Sequence, residues 1–119
     1  MRATTENYLE CIYSLSQTAP RVRRVDIARH MQVTRATVSH MVKQFCAKGL
    51  VEVHAGGDVR LTERGLAIAQ PLYTRHCTLT RLLQHIGMAD AAAAAEAAAL
   101  ESAASDALLE AIEAYLARA

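Results

Sequence analysis

Apolar residues recur at helical spacing in the first half of the chain and predict three helices of unequal length. The first lies within residues 4–17, the second is barely two turns over residues 26–31, and the third covers residues 35–48. Residues 32–34 form a tight connection between the second and third helices, and Gly49 stands where a helix end favours a left-handed backbone. Threonines that can cap helices precede two of them: Thr4 or Thr5, and Thr34.

Two short segments after the third helix predict a β-hairpin. Residues 50–53 and 59–61 alternate apolar and polar side chains, and residues 54–58, which include Gly56 and Gly57, form the turn between them. A helix, a short helix, a tight turn, a longer helix and a hairpin in this order are typical of a winged helix-turn-helix. The expected fold class is therefore mainly α with a small β-hairpin.

The second half of the chain is predicted to be helical. Three helices follow the hairpin, over about residues 62–85, 90–104 and 105–118. We expect two regions: a winged helix-turn-helix DNA-binding domain over residues 1–64, and a helical dimerisation region over residues 65–119 that can also sense metal.

The third helix has two different faces. Its inner face is apolar and is expected to pack on the first two helices: Val38, Met41, Val42 and Phe45. Its outer face is polar and narrow near its start, so it can enter the major groove of DNA, which is about 12 Å wide. The residues predicted to contact DNA belong to this face and to the hairpin: Arg35, Ala36, Thr37, Ser39, His40, Lys43, Gly57 and Arg60.

The side chains of that surface suit different parts of a duplex. Ser39 and His40 can form hydrogen bonds with base edges, Arg35 with guanine or phosphate, and Lys43 with phosphate. The glycines of the turn let the hairpin backbone approach the duplex, and Arg60 adds charge beside them.

The charge is divided unevenly along the chain, whose formal net charge is +1. Residues 1–64 contain ten Lys and Arg against six Asp and Glu, whereas residues 65–119 contain three against six. A basic half suits a polyanion. An ordinary helix pair with a solvated polar face is the alternative for residues 26–48, but the basic excess and the hairpin that follows favour a double-stranded DNA operator as the partner.

Several classes of protein are not indicated. No apolar run is long enough to span a bilayer, and the start of the chain is too polar for a signal peptide. The three cysteines are far apart and include no C-x-x-C pair, so we expect no disulfides and a cytoplasmic location. An enzyme is not expected, because the sequence contains no phosphate loop, no H-E-x-x-H motif and no nucleophile arrangement.

Five segments resemble the diphtheria toxin repressor and manganese transport regulator family of metal-dependent transcriptional repressors. They extend over nearly the whole chain: TTENYLECIYSL at 4–15, VDIARHMQVTRATVSHMV at 25–42, KGLVEV at 48–53, LTERGLAIA at 61–69 and LYTRHCTLTRLL at 72–83. The resemblance implies a sequence-specific repressor that responds to manganese or iron. It also implies the short type of member, without the C-terminal barrel-like domain of the longer ones.

In that family a divalent metal joins the first helix, the long helix and the helix after it. The matching positions with ligand chemistry in this sequence are Glu10, His76 and Glu101, and Asn7 matches as a neutral oxygen donor. The resemblance therefore implies these four residues as metal ligands. Oxygen and imidazole ligands of this kind can hold Mn²⁺ or Fe²⁺, with water completing the shell.

Three positions depart from the family pattern. Ala98 stands where members carry an acid or a thiol, Ser102 where they carry a histidine, and Thr80 where some carry an acid of a second site. The resemblance therefore implies a degenerate site that binds the metal weakly. Alternatively, Glu10 and Glu101 are surface acids and His76 is a buried imidazole with a hydrogen-bond partner.

Two other functions stay open. A regulator that has lost control by Mn²⁺ or Fe²⁺ would bind DNA constitutively, would sense thiol chemistry through Cys11 and Cys77, or would bind a soft metal through Cys11, His76 and Cys77. Buried inert thiols are the favoured interpretation of both cysteines. Cys46 is expected to pack beside the core face of the third helix. The second alternative is a winged helix that contacts proteins instead of DNA.

A homodimer is expected because operators are usually pseudo-palindromic and one winged helix makes few contacts. The candidates for a two-fold interface are apolar residues of the second half: Leu79, Leu82, Leu108, Leu109, Ile112 and Leu116. Alternatively, these residues close the core of the monomer.

Overall fold

The computed structural model describes residues 4–119, and within them it has six α-helices and one two-stranded antiparallel sheet. The elements in chain order are α1 (Thr5–Thr18), α2 (Arg24–Met31), α3 (Arg35–Ala47), β1 (Val51–His54), β2 (Asp58–Leu61), α4 (Glu63–His85), α5 (Asp90–Leu100) and α6 (Asp106–Arg118). The predicted fold class, mainly α with a small β-hairpin, is confirmed.

The chain forms two compact units, and the division falls between Pro71 and Leu72, inside α4. The domain division made from the sequence, between residues 64 and 65, lies seven residues earlier and stays a prediction. Among the described residues, no helix is both long and apolar enough to cross a membrane.

Side-chain caps fix the starts of the helices in the first unit. Thr4, not Thr5, caps α1, because Thr4 Oγ1 accepts a hydrogen bond from the Asn7 backbone N–H at 3.2 Å. Helix α2 begins two residues before the predicted Asp26, because the Arg23 N–H donates to Asp26 Oδ2 at 2.9 Å and places that aspartate inside the first turn.

The inner face of α3 is buried in the core of the first unit, as predicted. Val38, Val42 and Phe45 are almost fully buried, and the ring of Phe45 lies 6.0 Å from that of Tyr8 on α1. Met41 is only partly buried. The expectation for Cys46 was wrong: its side chain is exposed, because it lies one residue beyond the apolar stripe and therefore about 100° away from it.

The wing is the β1–β2 hairpin, in which Val51 pairs with Leu61 and Val53 with Val59. Its short turn, Ala55–Gly57, has left-handed backbone angles at both glycines, with φ +78° at Gly56 and +77° at Gly57. Only glycine adopts such angles at little cost, so the glycine pair determines the shape of the turn.

The segment Leu61–Gly65 joins the wing, the end of α3 and the start of α4. Thr62 Oγ1 donates to the Gly49 carbonyl oxygen at 2.6 Å and accepts from the Gly65 N–H at 3.2 Å, which caps α4. Arg64 Nη1 donates to the Lys48 carbonyl oxygen at 2.9 Å. A side chain on Gly65 would overlap the Leu50 carbonyl oxygen, so this helix packs on the wing through bare backbone.

The Gly65→Ala variant tests that packing. Alanine favours a helix over glycine by about 1 kcal/mol, but its methyl group would strike the Leu50 backbone, and overpacking of this kind costs about 1–3 kcal/mol or more. We expect a net loss in the free energy of unfolding, measured by chemical denaturation. Ala67→Ser, at an exposed position of the same helix, is the control and should change stability far less. Equal stability of Gly65→Ala and wild type would contradict the close approach.

The second unit packs the later part of α4 with α5 and α6. Its core contains Leu79, Ala97, Ala104, Leu109 and Ile112. Thus several residues expected at a dimer interface contribute to this core, whereas Leu108 is 49% exposed.

Helix α5 ends at Leu100, four residues before the predicted end near Ala104. The turn that follows is held by the Arg75 guanidinium, whose Nη2 donates to the carbonyl oxygens of Glu101 and Ala104. A helix C-terminus leaves carbonyl groups without partners inside the helix, and here a distant arginine supplies donors for the turn that follows.

Candidate nucleic-acid interface and metal centre

The outer face of α3 is available to a ligand. Thr34 Oγ1 accepts from the Thr37 N–H at 3.1 Å and caps the helix, so the positive end of the helix dipole lies beside the first exposed residues. The predicted contact residues of this face are exposed, except that Ser39 is half-buried: Arg35, Ala36, Thr37, Ser39, His40 and Lys43.

Two cations of this face are uncompensated. Within the part of the chain that the structure describes, no carboxylate lies within 4.0 Å of Arg35 or Lys43. A cation without an acidic partner needs no rearrangement before it meets a phosphate, so both residues suit an anionic ligand.

One polar residue of this face was missed by the sequence analysis. Gln44 is exposed, and its Nε2 lies 3.2 Å from Nε2 of His40. The spacing could have indicated it, because residues four apart share a face of a helix. A glutamine side chain can form a bidentate pair with adenine, so Gln44 has chemistry that suits a base edge.

Asp58 anchors the wing to the segment before α2. Its buried carboxylate accepts from the Val22 N–H at 2.9 Å and from Arg60 Nε at 2.6 Å, and the Val59 N–H donates to the Val22 carbonyl oxygen at 2.7 Å. The Val22 N–H and, after it, the Arg60 guanidinium hold the pKa of Asp58 below its usual value. Arg60, predicted as a DNA contact, is therefore also an ion-pair partner inside the wing, and Gly57 has open space around it.

The Asp58→Asn variant tests this anchor through pH. Because the folded pKa of Asp58 is lowered, its contribution to stability is present above the unfolded pKa of about 4 and is lost as pH falls through the folded value. The difference in the free energy of unfolding between wild type and variant should be largest near neutral pH and shrink below about pH 4. Glu6→Gln, at an exposed acid, is the control. A difference that did not change with pH would contradict the role of the carboxylate charge.

In the second unit, His76 and Glu101 form a close pair. His76 Nδ1 lies 2.7 Å from Glu101 Oε1, although the residues are 25 apart in sequence. The Glu101 side chain is 10% exposed and that of His76 is 25% exposed. An imidazole nitrogen and a carboxylate oxygen at one partly buried place are a donor set that fits a divalent metal such as Mn²⁺ or Fe²⁺.

Arg75 fixes the turn that carries Glu101. Besides its bonds to the carbonyl oxygens of Glu101 and Ala104, its Nη1 donates to Asp106 Oδ1 at 3.2 Å. The guanidinium thus joins α4, the turn after α5 and the start of α6, and it holds the backbone of one predicted ligand.

The other predicted ligands lie in the first unit, on α1. Glu10 is half-buried and Asn7 is exposed. Asn7 Oδ1 accepts from both the backbone N–H and the hydroxyl of Thr4, at 3.0 and 2.8 Å. A carbonyl oxygen has two lone pairs, so both are engaged in the helix cap unless that cap opens.

The three departures from the family pattern lack the acidic, thiol and imidazole groups of the family. Ala98 and Ser102 are exposed, and alanine has no donor atom. The Thr80 hydroxyl donates to the His76 carbonyl oxygen at 2.8 Å, within its own helix.

The cysteines differ in environment. Cys11 is buried, and its burial followed by the charge of Glu10 raises the pKa of this thiol to about 12. Since the thiolate is the reactive form, this environment disfavours reaction of Cys11 near neutral pH. Cys77 is half-buried and Cys46 is exposed.

Two models of one family match the chain almost end to end. The iron dependent repressor, N-terminal DNA binding domain, matches residues 1–58. The iron dependent repressor, metal binding and dimerisation domain, matches residues 62–119.

Individual proteins give the same result. The transcriptional regulator MntR of Escherichia coli O6:H1 is 29% identical over 114 residues, which are 96% of this chain and 74% of that protein. The crystal structure of T. acidophilum IdeR shares the fold, with a TM-score of 0.85 at 23% identity, over 98% of this chain and 55% of that chain. A manganese-dependent transcriptional repressor in complex with manganese has a TM-score of 0.78 at 29% identity, over 96% of this chain and 53% of its own. Our chain therefore spans about half the length of these solved chains.

The first unit, with its capped outer helix and its wing, defines a DNA-binding protein of the winged helix-turn-helix class. The chain belongs to the iron dependent repressor family of metal-dependent transcriptional regulators, which confirms the resemblance found in the sequence.

Proposed function

We propose that this chain is a homodimeric repressor that binds a specific DNA operator and whose operator affinity is controlled by a divalent metal, Mn²⁺ or Fe²⁺. The observation that carries the proposal is the α3 surface: its apolar flank is buried while Arg35, His40 and Lys43 stay exposed. The family match supports the link between DNA binding and a metal.

The two faces of α3, one buried and one exposed, support DNA binding. The buried flank fixes the orientation of the helix, so its outer residues can enter the groove without large rearrangements. In our proposal Ala36, Ser39 and His40 meet base edges, whereas Arg35, Thr37 and Lys43 meet the backbone. Gly57 and Arg60 place the wing beside the duplex.

The metal ligands in our proposal are His76 and Glu101, with Glu10 and Asn7 added on the family resemblance. The close pair of His76 and Glu101 supports the first two, and Arg75 keeps the Glu101 turn in place. Bound metal would supply a positive charge that draws these ligands together and so favours the conformation that fits the operator. The absence of donor groups at Ala98 and the exposure of Ser102 predict low affinity.

The homodimer in our proposal is formed through the second unit. Ile86 is 65% exposed, Leu108 49% and Tyr115 45%, and a shallow apolar groove is lined by Leu82, Ile86, Ala111, Ile112 and Tyr115. Exposed apolar groups of this size are characteristic of a protein interface. A two-fold axis there would pair two α3 helices for a palindromic site.

A regulator without metal control is the second candidate. It is favoured by one observation, the replacement of family ligands at Ala98 and Ser102. It differs from the first in a single property, since its DNA affinity would not change with Mn²⁺.

The DNA-binding part of the proposal is tested by Lys43→Ala. We expect a weaker affinity for DNA. We also expect the salt slope, which is the change in the logarithm of the binding constant with the logarithm of the salt concentration, to fall in magnitude by about 0.9, because one phosphate contact is lost. Fluorescence anisotropy over a series of KCl concentrations measures both. Arg118→Ala, which removes an exposed cation of the second unit, is the control and should keep the wild-type slope. Unchanged affinity and slope of the Lys43→Ala variant would contradict the phosphate contact of Lys43, and a wild type that also retained no DNA at low salt would argue for a winged helix that contacts proteins.

The metal-binding part is tested by calorimetry with Mn²⁺. His76→Ala removes a ligand, and Glu101→Gln replaces an anionic carboxylate by a neutral amide oxygen, so each should weaken binding by about tenfold or more. His30→Ala, at an exposed histidine of α2, is the matched control and should bind as wild type does. The melting temperatures of all variants identify any loss of fold. If His76→Ala bound Mn²⁺ as tightly as wild type, the ligand assignment would be wrong.

A further inference from the structure

The wing carries a third extended segment that the hairpin pattern did not predict. Val22 is buried and its backbone bonds to both Asp58 and Val59, through the Val22 N–H at 2.9 Å and the Val22 carbonyl oxygen at 2.7 Å. Residue Arg23 is extended, with φ −103° and ψ 161°. One main-chain bond and one bond to a side chain thus hold Val22 beside the start of β2, at the edge of the wing.

Two arginines flank Val22 on this edge. Successive side chains of an extended segment point to opposite faces, so a buried Val22 places Arg21 and Arg23 outward, and both are exposed. The Arg21 guanidinium lies against the wing turn, because a Cβ built on Gly56 would be 3.3 Å from its Nη1.

The charges of these arginines are not neutralised by the protein. Among the residues that the structure describes, no carboxylate lies within 4.0 Å of either guanidinium, whereas Arg29 pairs with Asp26 and Arg60 with Asp58. The arginine of the wing chosen from the sequence, Arg60, thus has an internal partner, and the unpaired cations of the wing are on the neighbouring segment.

We propose that Arg21 and Arg23 bind backbone phosphates of duplex DNA where the wing meets the duplex. The inference rests on the proposed DNA-binding function and assigns it a second, sequence-independent contact beside α3. Uncompensated guanidinium groups suit phosphate oxygens, and the main-chain bonds of Val22 hold both arginines in register with the glycine turn. Arg60 positions the segment through Asp58.

The test is the double variant Arg21→Gln with Arg23→Gln, studied with excess Mn²⁺. The DNA probes are a duplex containing a site selected from random sequence and a duplex of unrelated sequence, measured by anisotropy over a range of KCl concentrations. The loss of two phosphate contacts should lower the magnitude of the salt slope by about 1.8. Near 0.1 M salt, this change corresponds to an affinity lower by a factor of about several tens. The affinity for both duplexes should fall by the same factor.

Two further variants separate charge from structure. The double variant Arg21→Lys with Arg23→Lys keeps both charges and should restore most of the slope. Arg81→Gln with Arg118→Gln removes the same charge from exposed positions of the second unit and should keep the wild-type slope. Melting temperatures and circular dichroism verify that each variant is folded.

The possible results are distinct. Wild-type slope and affinity in the glutamine variant would overturn this inference and leave the proposed function standing. A loss of affinity for the selected site alone would show that the arginines read bases, which also contradicts a backbone role. Wild-type protein that bound neither duplex at low salt would overturn the proposed function together with this inference.

Discussion

The burial of one flank of α3 is the constraint on which the DNA-binding unit depends. Val38, Val42 and Phe45 are each at most 2% exposed, and Phe45 meets Tyr8 of α1. Removing a buried ring of this kind costs about 3–5 kcal/mol, a large part of the stability of a small domain. Because the flank cannot leave the core, the opposite face of the helix must stay outside. The apolar contacts of the buried flank therefore fix the direction in which the polar residues of the opposite face point.

Local signals in the sequence were sufficient for most elements of the first unit. Thr34, Gly49 and Thr62 each mark a helix boundary that the structure has, and the glycine pair marks the wing turn. Contacts between residues far apart in the sequence could not be predicted from such local signals. The bonds from Val22 to Asp58 and Val59 join positions about 36 apart, and Arg75 bonds to the turn after α5 across 26 and 29 positions.

For the candidate metal centre, too, the sequence indicates the residue types, whereas the structure supplies their distances and partners. Family resemblance identified His76 and Glu101 as residues of the right chemistry, whereas periodicity alone gave no reason to bring them together. The structure adds the distance of 2.7 Å between them and the arginine that holds the Glu101 turn. It also shows that Asn7 is engaged in a helix cap. These three facts could not be read from residue types, because each depends on which hydrogen-bond partners the fold supplies.

In our proposal, a metal bound by His76 and Glu101 strengthens the binding of α3 to an operator. Thermodynamic coupling tests it directly: the operator affinity of wild type and of the histidine-to-alanine variant is measured from chelator to excess Mn²⁺ at constant ionic strength. We predict an affinity that rises with Mn²⁺ in wild type and a flat response in the variant. Equal wild-type affinity with chelator and with Mn²⁺ would contradict the account.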